Sequence, residues 1–184
     1  MATSKSPFDI NILVEHLRDA ASQADARAQI KSILSETVTD PSWVAASIPV
    51  YEDDDVVLFE DDTVSIWHCR FKVGQNVPAH DHQMVATIAV YQGAEQNSMW
   101  VHNKQGSIEK KTEISVEPGN VLQFGPTAIH SVGCQSDVDS CAIHVYLGKL
   151  TTVERSLFDT QNNEVMPFDD ENYDRLVSIQ AQID

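Results

Sequence analysis

"PAHDHQMVATIAVYQG", residues 78–93, places two histidines one residue apart at the head of an apolar run that ends in glycine. In an extended segment, residues i and i+2 point to the same side. His80 and His82 would then present two imidazoles together. Such a pair can hold one metal ion, or it can be two polar residues beside a loop. The surrounding chain has to separate these readings.

From residue 50 to about 148, short β-type runs alternate with turn residues. The runs are DVVLFE (55–60), TVSIWHCRFKV (63–73), MVATIAVYQ (84–92), QNSMWVHN (96–103), SIEKKTEISVE (107–117), NVLQF (120–124), AIHSV (128–132) and CAIHVYLG (141–148). Gly74, Gly93, Gly106, Gly119, Gly125 and Pro126 punctuate them. Many short strands with no helices between them predict a mainly β fold, either a closed barrel or a sandwich.

The first fifty residues read as helical. Ser6 can cap, Pro7 suits the first helical position, and Asp9 completes a capping-box pattern. Ile10, Leu13, Val14 and Leu17 follow at helical spacing. A second stripe, Ile30, Ile33, Leu34 and Val38, predicts a second helix stopped by Pro41. After residue 150 the chain is polar and acidic, with one weak helical stretch over 171–184. The expected organisation is an N-terminal helical segment over 1–50, a barrel over 51–150 and a C-terminal extension over 151–184.

A metal site needs a third ligand, best supplied by a distant strand that returns alongside the first. The stretch EPGNVLQFGPTAIHSVG, residues 117–133, offers His130 after two turns and a short apolar run. His68, in SIWHCRF, is a candidate fourth ligand but reads better as a core or rim histidine. His102 and His16 read as surface residues. Glu95, just past Gly93, is within reach of a pocket. Three neutral imidazoles suit zinc as well as iron, so the spacing leaves the metal open.

These residues resemble the cupin superfamily, whose fold is a double-stranded β-helix barrel. Its first motif, G-x5-H-x-H-x3-E-x6-G, is matched in spacing by Gly74, His80, His82 and Gly93, with Ala86 in the glutamate slot. The second motif, G-x5-P-x-G-x2-H-x3-N, is similar at Gly119 and His130. Pro126 lies in the turn between them and Cys134 fills the asparagine slot. Three histidines without the glutamate are the ligand set of the thiol dioxygenase branch, which includes cysteine dioxygenase. That branch carries S-x-H-x-Y on a late strand. AIHVY, residues 142–146, resembles it at His144 and Tyr146, with Ala142 in place of the serine.

The resemblance implies a non-haem Fe(II) dioxygenase acting on a small-molecule thiol. His80, His82 and His130 would hold the iron, or zinc or nickel in its place. Tyr146 would donate a hydrogen bond to bound oxygen or substrate, and His144 would position Tyr146. A diketone-cleaving dioxygenase and a metal-dependent binding protein without turnover are the alternatives. Dioxygenases of amino-acid thiols use an arginine to hold the substrate carboxylate, a task that suits the planar guanidinium. Arg70 is the one arginine between residues 28 and 154. It is expected to face solvent rather than the pocket, which argues against free cysteine as substrate.

Composition bounds the partners. The chain has 184 residues and a formal charge of −16, a balance that repels nucleic acid and anionic membranes. The N-terminus lacks an apolar core of about 7–15 residues before a cleavage site. Cys69, Cys134 and Cys141 form no CxxC pattern and read as reduced thiols. The expected setting is the cytoplasm, with a small-molecule substrate and dioxygen as partners. A homodimer is left open.

Overall fold

A computed structural model describes residues 7–180. Three helices come first: α1 (Ile10–Ala21), α2 (Ala26–Thr37) and α3 (Pro41–Ala45). The Asp9 carboxylate caps α1 by accepting from the Asn11 amide at 2.9 Å. Helix α1 therefore starts three residues later than the Pro7 position predicts, and Ser6 lies outside the described residues. One Asp9 oxygen on an early amide satisfies a donor that the helix cannot satisfy internally. Pro41 does follow α2, but it also opens α3, where Asp40 accepts from the Trp43 amide. Proline fits a first turn because that turn needs no amide hydrogen there.

Eleven strands follow among the described residues, and every strand pair is antiparallel. They are β1 (Asp55–Glu60), β2 (Ser65–Phe71), β3 (Asn76–Asp81), β4 (Ala86–Gln92), β5 (Glu95–His102), β6 (Ile108–Val116), β7 (Val121–Phe124), β8 (Ile129–Cys134), β9 (Ser140–Tyr146), β10 (Ser156–Asp159) and β11 (Glu164–Pro167), and helix α4 (Asp170–Gln180) follows them. One sheet runs β1-β2-β9-β4-β7 and the other β11-β10-β3-β8-β5-β6. From β2 to β10 the chain passes back and forth between the sheets. This is a double-stranded β-helix, with helices added at the N-terminus.

Strand alternation divides the first sheet into two faces. Ile143 and Val145 of β9 and Ala89 and Tyr91 of β4 pack against Leu13, Leu17, Ile30 and Leu34 of the helices. The opposite face of the same strands carries Ala142 and Tyr146 of β9 and Ala86, Ile88 and Val90 of β4, buried between the sheets. The amphipathic helices thus seal the outside of this sheet and leave its inner face to the barrel interior.

Eight of the strands fall on the expected runs. Strands β3, β10 and β11 do not. In β3, Pro78 and the polar residues around it interrupt the apolar alternation that marks a strand. Strands β10 and β11 are four residues each, too short for a period to register. The chain beyond residue 150 widens the second sheet: β10 pairs with β3, Leu157 opposite His80, and β11 pairs with β10. Among the described residues, no helix is long and apolar enough to cross a membrane.

Gly133 marks the closest approach in the pairing of β8 with β3. A Cβ there would stand 2.5 Å from both the Gln75 carbonyl oxygen and the Asn76 Oδ1. Gly133→Ala is therefore expected to destabilise the protein by about 1–3 kcal/mol, the usual range for forcing an extra carbon into a packed site. The urea midpoint measures this. An unchanged midpoint would show that β8 and β3 do not meet this closely.

Candidate metal centre

The site begins with an irregularity in β3. Val77 pairs with Val132 and His80 with His130, so Pro78 and Ala79 together face Ser131 alone. Two residues opposite one is a β-bulge. Proline tolerates this position because it has no amide hydrogen to offer the ladder. The bulge resets the alternation. Without it Ala79 would face His130; with it the two histidines are cross-strand partners. His82 follows just beyond the strand end, two residues on, and enters the same cavity.

The ligand atoms of His80, His82 and His130 all lie within 4.8 Å of one another, and all three residues are buried. Outer hydrogen bonds orient two of the rings. The His80 Nδ1–H donates to the Pro78 carbonyl oxygen at 2.8 Å. The His130 Nδ1–H donates to the Asn97 Oδ1 at 2.9 Å. Each bond fixes the tautomer and leaves a lone pair on Nε2, the arrangement typical of ligating histidines. Nε2 of His82 and Nε2 of His130 stand 3.0 Å apart. Two nitrogens bound at right angles to one ion, with bonds of about 2.1 Å, would be separated by about 3.0 Å. The third ring has no such outer bond: His82 Nδ1 is buried without a hydrogen-bond partner among the described residues. The donor set therefore fits a divalent cation.

Electrostatics point the same way. Burial lowers the pKa of His80 to about 4. It holds His82 and His130 well below the ordinary imidazole value, with the neighbouring rings adding to the effect. Neutral imidazoles are the form that binds metal.

Across the cavity, the first sheet supplies His144 and Tyr146. Both lie on the inner face of β9, as the alternation of Ala142, His144 and Tyr146 predicts. The His144 Nδ1 is 3.1 Å from the Tyr146 hydroxyl. The Tyr146 ring centroid is 4.8 Å from that of His82. Burial raises the pKa of the phenol well above its usual value, so it is a neutral hydroxyl. The other ring nitrogen of His144, Nε2, lies 3.0 Å from a carboxylate oxygen of Glu95, which is 0 % exposed.

The other candidates fall elsewhere. His68 is buried on the helix side of β2, its Nε2 bonded to the Tyr91 hydroxyl at 2.7 Å. It is a core histidine and not a ligand. His16 and His102 are exposed. Arg70 bonds Asp54 Oδ1 and the carbonyl oxygens of Tyr51 and Glu52. It does not line the cavity, as expected.

The residue that reading of the arginines missed is Arg155. It lines the same cavity of about 490 Å³ as His80, His82, His130, His144 and Tyr146. Its guanidinium lies 4.1 Å from the centre of the Phe168 ring, and it feels the Asp81 carboxylate without a salt bridge to it among the described residues. Phe168 in turn packs edge-on against His80 at 5.4 Å. No local pattern announces Arg155, because it sits in a loop whose place is set by the pairing of β10 with β3. Asn97 was missed too. Its only signal is the spacing Glu95-x-Asn97, two polar side chains turned to the inner face of one strand.

No protein-family model matches the chain. Solved structures resemble it in fold. An uncharacterised conserved protein with a double-stranded β-helix domain from Klebsiella pneumoniae is 14% identical, over 62% of this chain and 87% of its own, with a TM-score of 0.47. A cupin superfamily protein from Desulfitobacterium hafniense is 18% identical, over 58% and 88%, with a TM-score of 0.45. An RmlC-like cupin family protein from Methanocaldococcus jannaschii is 13% identical, over 56% and 90%, with a TM-score of 0.46.

The two sets of histidines differ in their roles, and mutation separates them. His82→Ala should abolish metal retention after dialysis. His144→Ala should keep the metal, because its nitrogens face Glu95 and Tyr146 instead of the cluster. Metal content of the two purified variants measures this, and equal loss from both would place His144 among the ligands.

Proposed function

We propose that this protein is a non-haem Fe(II) dioxygenase whose substrate is a small thiol carrying an anionic group, most simply a carboxylate. The observation that carries this reading is the shared cavity. It brings together three neutral imidazoles, the Tyr146 hydroxyl and the Arg155 guanidinium. The balanced reaction is R–SH + O2 → R–SO2H, in which sulfur is oxidised and both atoms of dioxygen enter the product. Iron, if held by His80, His82 and His130, would supply the redox chemistry for that step, which zinc on the same nitrogens would not.

The protein's own groups bind and orient. Arg155 is half-buried on the cavity wall and stacked on Phe168, with the Asp81 carboxylate near enough to favour its charge but not bonded to it. A guanidinium in that state favours a planar anion, which it can hold with two parallel hydrogen bonds. This revises the inference drawn from Arg70 alone. Arg70 leaves the cavity without an anion partner, but Arg155 provides one, so a carboxylate thiol such as cysteine or 3-mercaptopropionate returns as substrate. Tyr146 lines the same space, where its hydroxyl would serve a group bound beside the metal. Trp67, Phe71 and Val132 give the cavity an apolar wall that suits a small sulfur-bearing chain, while Asp54, Asp55 and Asp170 also line it and leave Arg155 as its one guanidinium. The three cysteines are buried and unpaired, which fits our placement of the protein in the reducing cytoplasm.

Oxygen uptake by the iron-loaded protein tests the reading. Uptake is expected with 3-mercaptopropionate or cysteine. Arg155→Gln should lower kcat/KM for these by about 10- to 150-fold, the effect of losing one hydrogen bond to a charged group. Cysteamine, which has no carboxylate, should be used equally by both proteins. An equal loss with all three thiols would remove Arg155 from recognition. Uptake with diketones alone would assign the diketone-cleaving reading instead.

A further inference from the structure

Glu95 and Asn97 occupy alternate positions on β5 and both turn to the cavity side. Both are 0 % exposed. Asn97 holds His130, a member of the histidine cluster, as described above. Glu95 reaches from the second sheet to His144 on the first, and the two side chains meet at 3.0 Å. A fully buried glutamate is rare unless it is partnered, and among the described residues His144 is its one hydrogen-bond partner. Its second oxygen, Oε2, is buried without one.

With Glu95 as the carboxylate and His144 carrying one ring hydrogen, the three groups in a row fix the direction of the hydrogens. A carboxylate only accepts, so the hydrogen between Glu95 and His144 sits on Nε2. A neutral imidazole then has a lone pair on Nδ1. That atom faces the Tyr146 hydroxyl at 3.1 Å, so the hydroxyl must donate to it. A phenol has one hydrogen to give. With that hydrogen committed to His144, the oxygen of Tyr146 turns its remaining lone pair to the cavity.

We infer that Glu95 is a positioning residue that sets the tautomer of His144, and through it makes Tyr146 a hydrogen-bond acceptor rather than a donor toward groups bound beside the histidine cluster. This rests on the proposed function for its consequence in turnover, and on geometry alone for the tautomer. It reverses the expected direction of the Tyr146 hydrogen bond. In the S-x-H-x-Y motif that this stretch resembles, the serine slot is Ala142 and has no hydroxyl here, and the contact that orients His144 comes from a different strand. An acceptor suits partners that bring a hydrogen of their own, such as the ammonium of an amino thiol.

The test uses the full-length, metal-free protein with 15N-labelled histidines, and the His144 signals are identified by their loss in His144→Gln. Long-range proton–nitrogen spectra at neutral pH should show a hydrogen on Nε2 and none on Nδ1 in the wild type. Glu95→Leu removes the acceptor and should move the hydrogen to Nδ1. A wild-type hydrogen on Nδ1, or a tautomer indifferent to Glu95→Leu, overturns the inference. The wild-type spectrum decides even if Glu95→Leu does not fold.

In the iron-loaded enzyme, Glu95→Leu should keep its metal and lower kcat by about 10- to 100-fold, with KM unchanged. It should lower activity no further in a His144→Gln background, because groups that act in series are not additive. A full second loss in that background would mean that Glu95 acts independently of His144. If no thiol is turned over at all, the proposed function fails while the spectra still decide the role of Glu95.

Discussion

The pairing of β3 with β8 is the constraint on which the site depends. Two strands joined in register place cross-strand side chains within contact distance, and the bulge at Pro78–Ala79 chooses which ones. It brings His80 opposite His130 and shifts His82 into the same cavity. The positions around it are committed to that pairing. Pro78 gives no amide hydrogen and instead lends its carbonyl oxygen to His80. Gly133 has no room for a side chain. On the far edge of β3, β10 pairs at His80 itself and brings Arg155 to the cavity wall.

The two sheets then divide the chemistry. The second sheet carries the three histidines, and the first carries His144 and Tyr146. The polar residues of β5 connect these groups, Asn97 within the second sheet and Glu95 across the interior. Each bond gives a buried polar group a partner, which its burial demands. Each also orients an imidazole that would otherwise be free to turn. The same contacts thus give these side chains partners and set the geometry of the site. The helices contribute at a distance by sealing the outer face of the first sheet, so β9 is buried along its whole length.

Much of this was legible in the sequence. His80 and His82 are neighbours in an extended segment, and a period of two is enough to point them the same way. His144 and Tyr146 share a face for the same reason. The helical stripes of α1 and α2 named the residues that pack on the sheet. What stayed hidden depends on contacts between residues far apart in the chain. Arg155 enters the cavity only because a four-residue strand pairs with β3, and four residues give no readable pattern. The match of Glu95 to His144 spans 49 residues and two sheets, so strand spacing alone could not find it. The start of α1 was misplaced because Pro7 and Asp9 both carry helix-start signals, and the cap geometry chose the second.

The central claim is that His80, His82 and His130 hold one metal ion through their Nε2 atoms. Anomalous diffraction at the iron edge, from crystals of the iron-loaded protein, tests it most directly. The account predicts a single strong peak about 2.1 Å from Nε2 of each of the three histidines. A peak elsewhere, ligation through Nδ1, or an iron-loaded protein with no peak between these rings would contradict it.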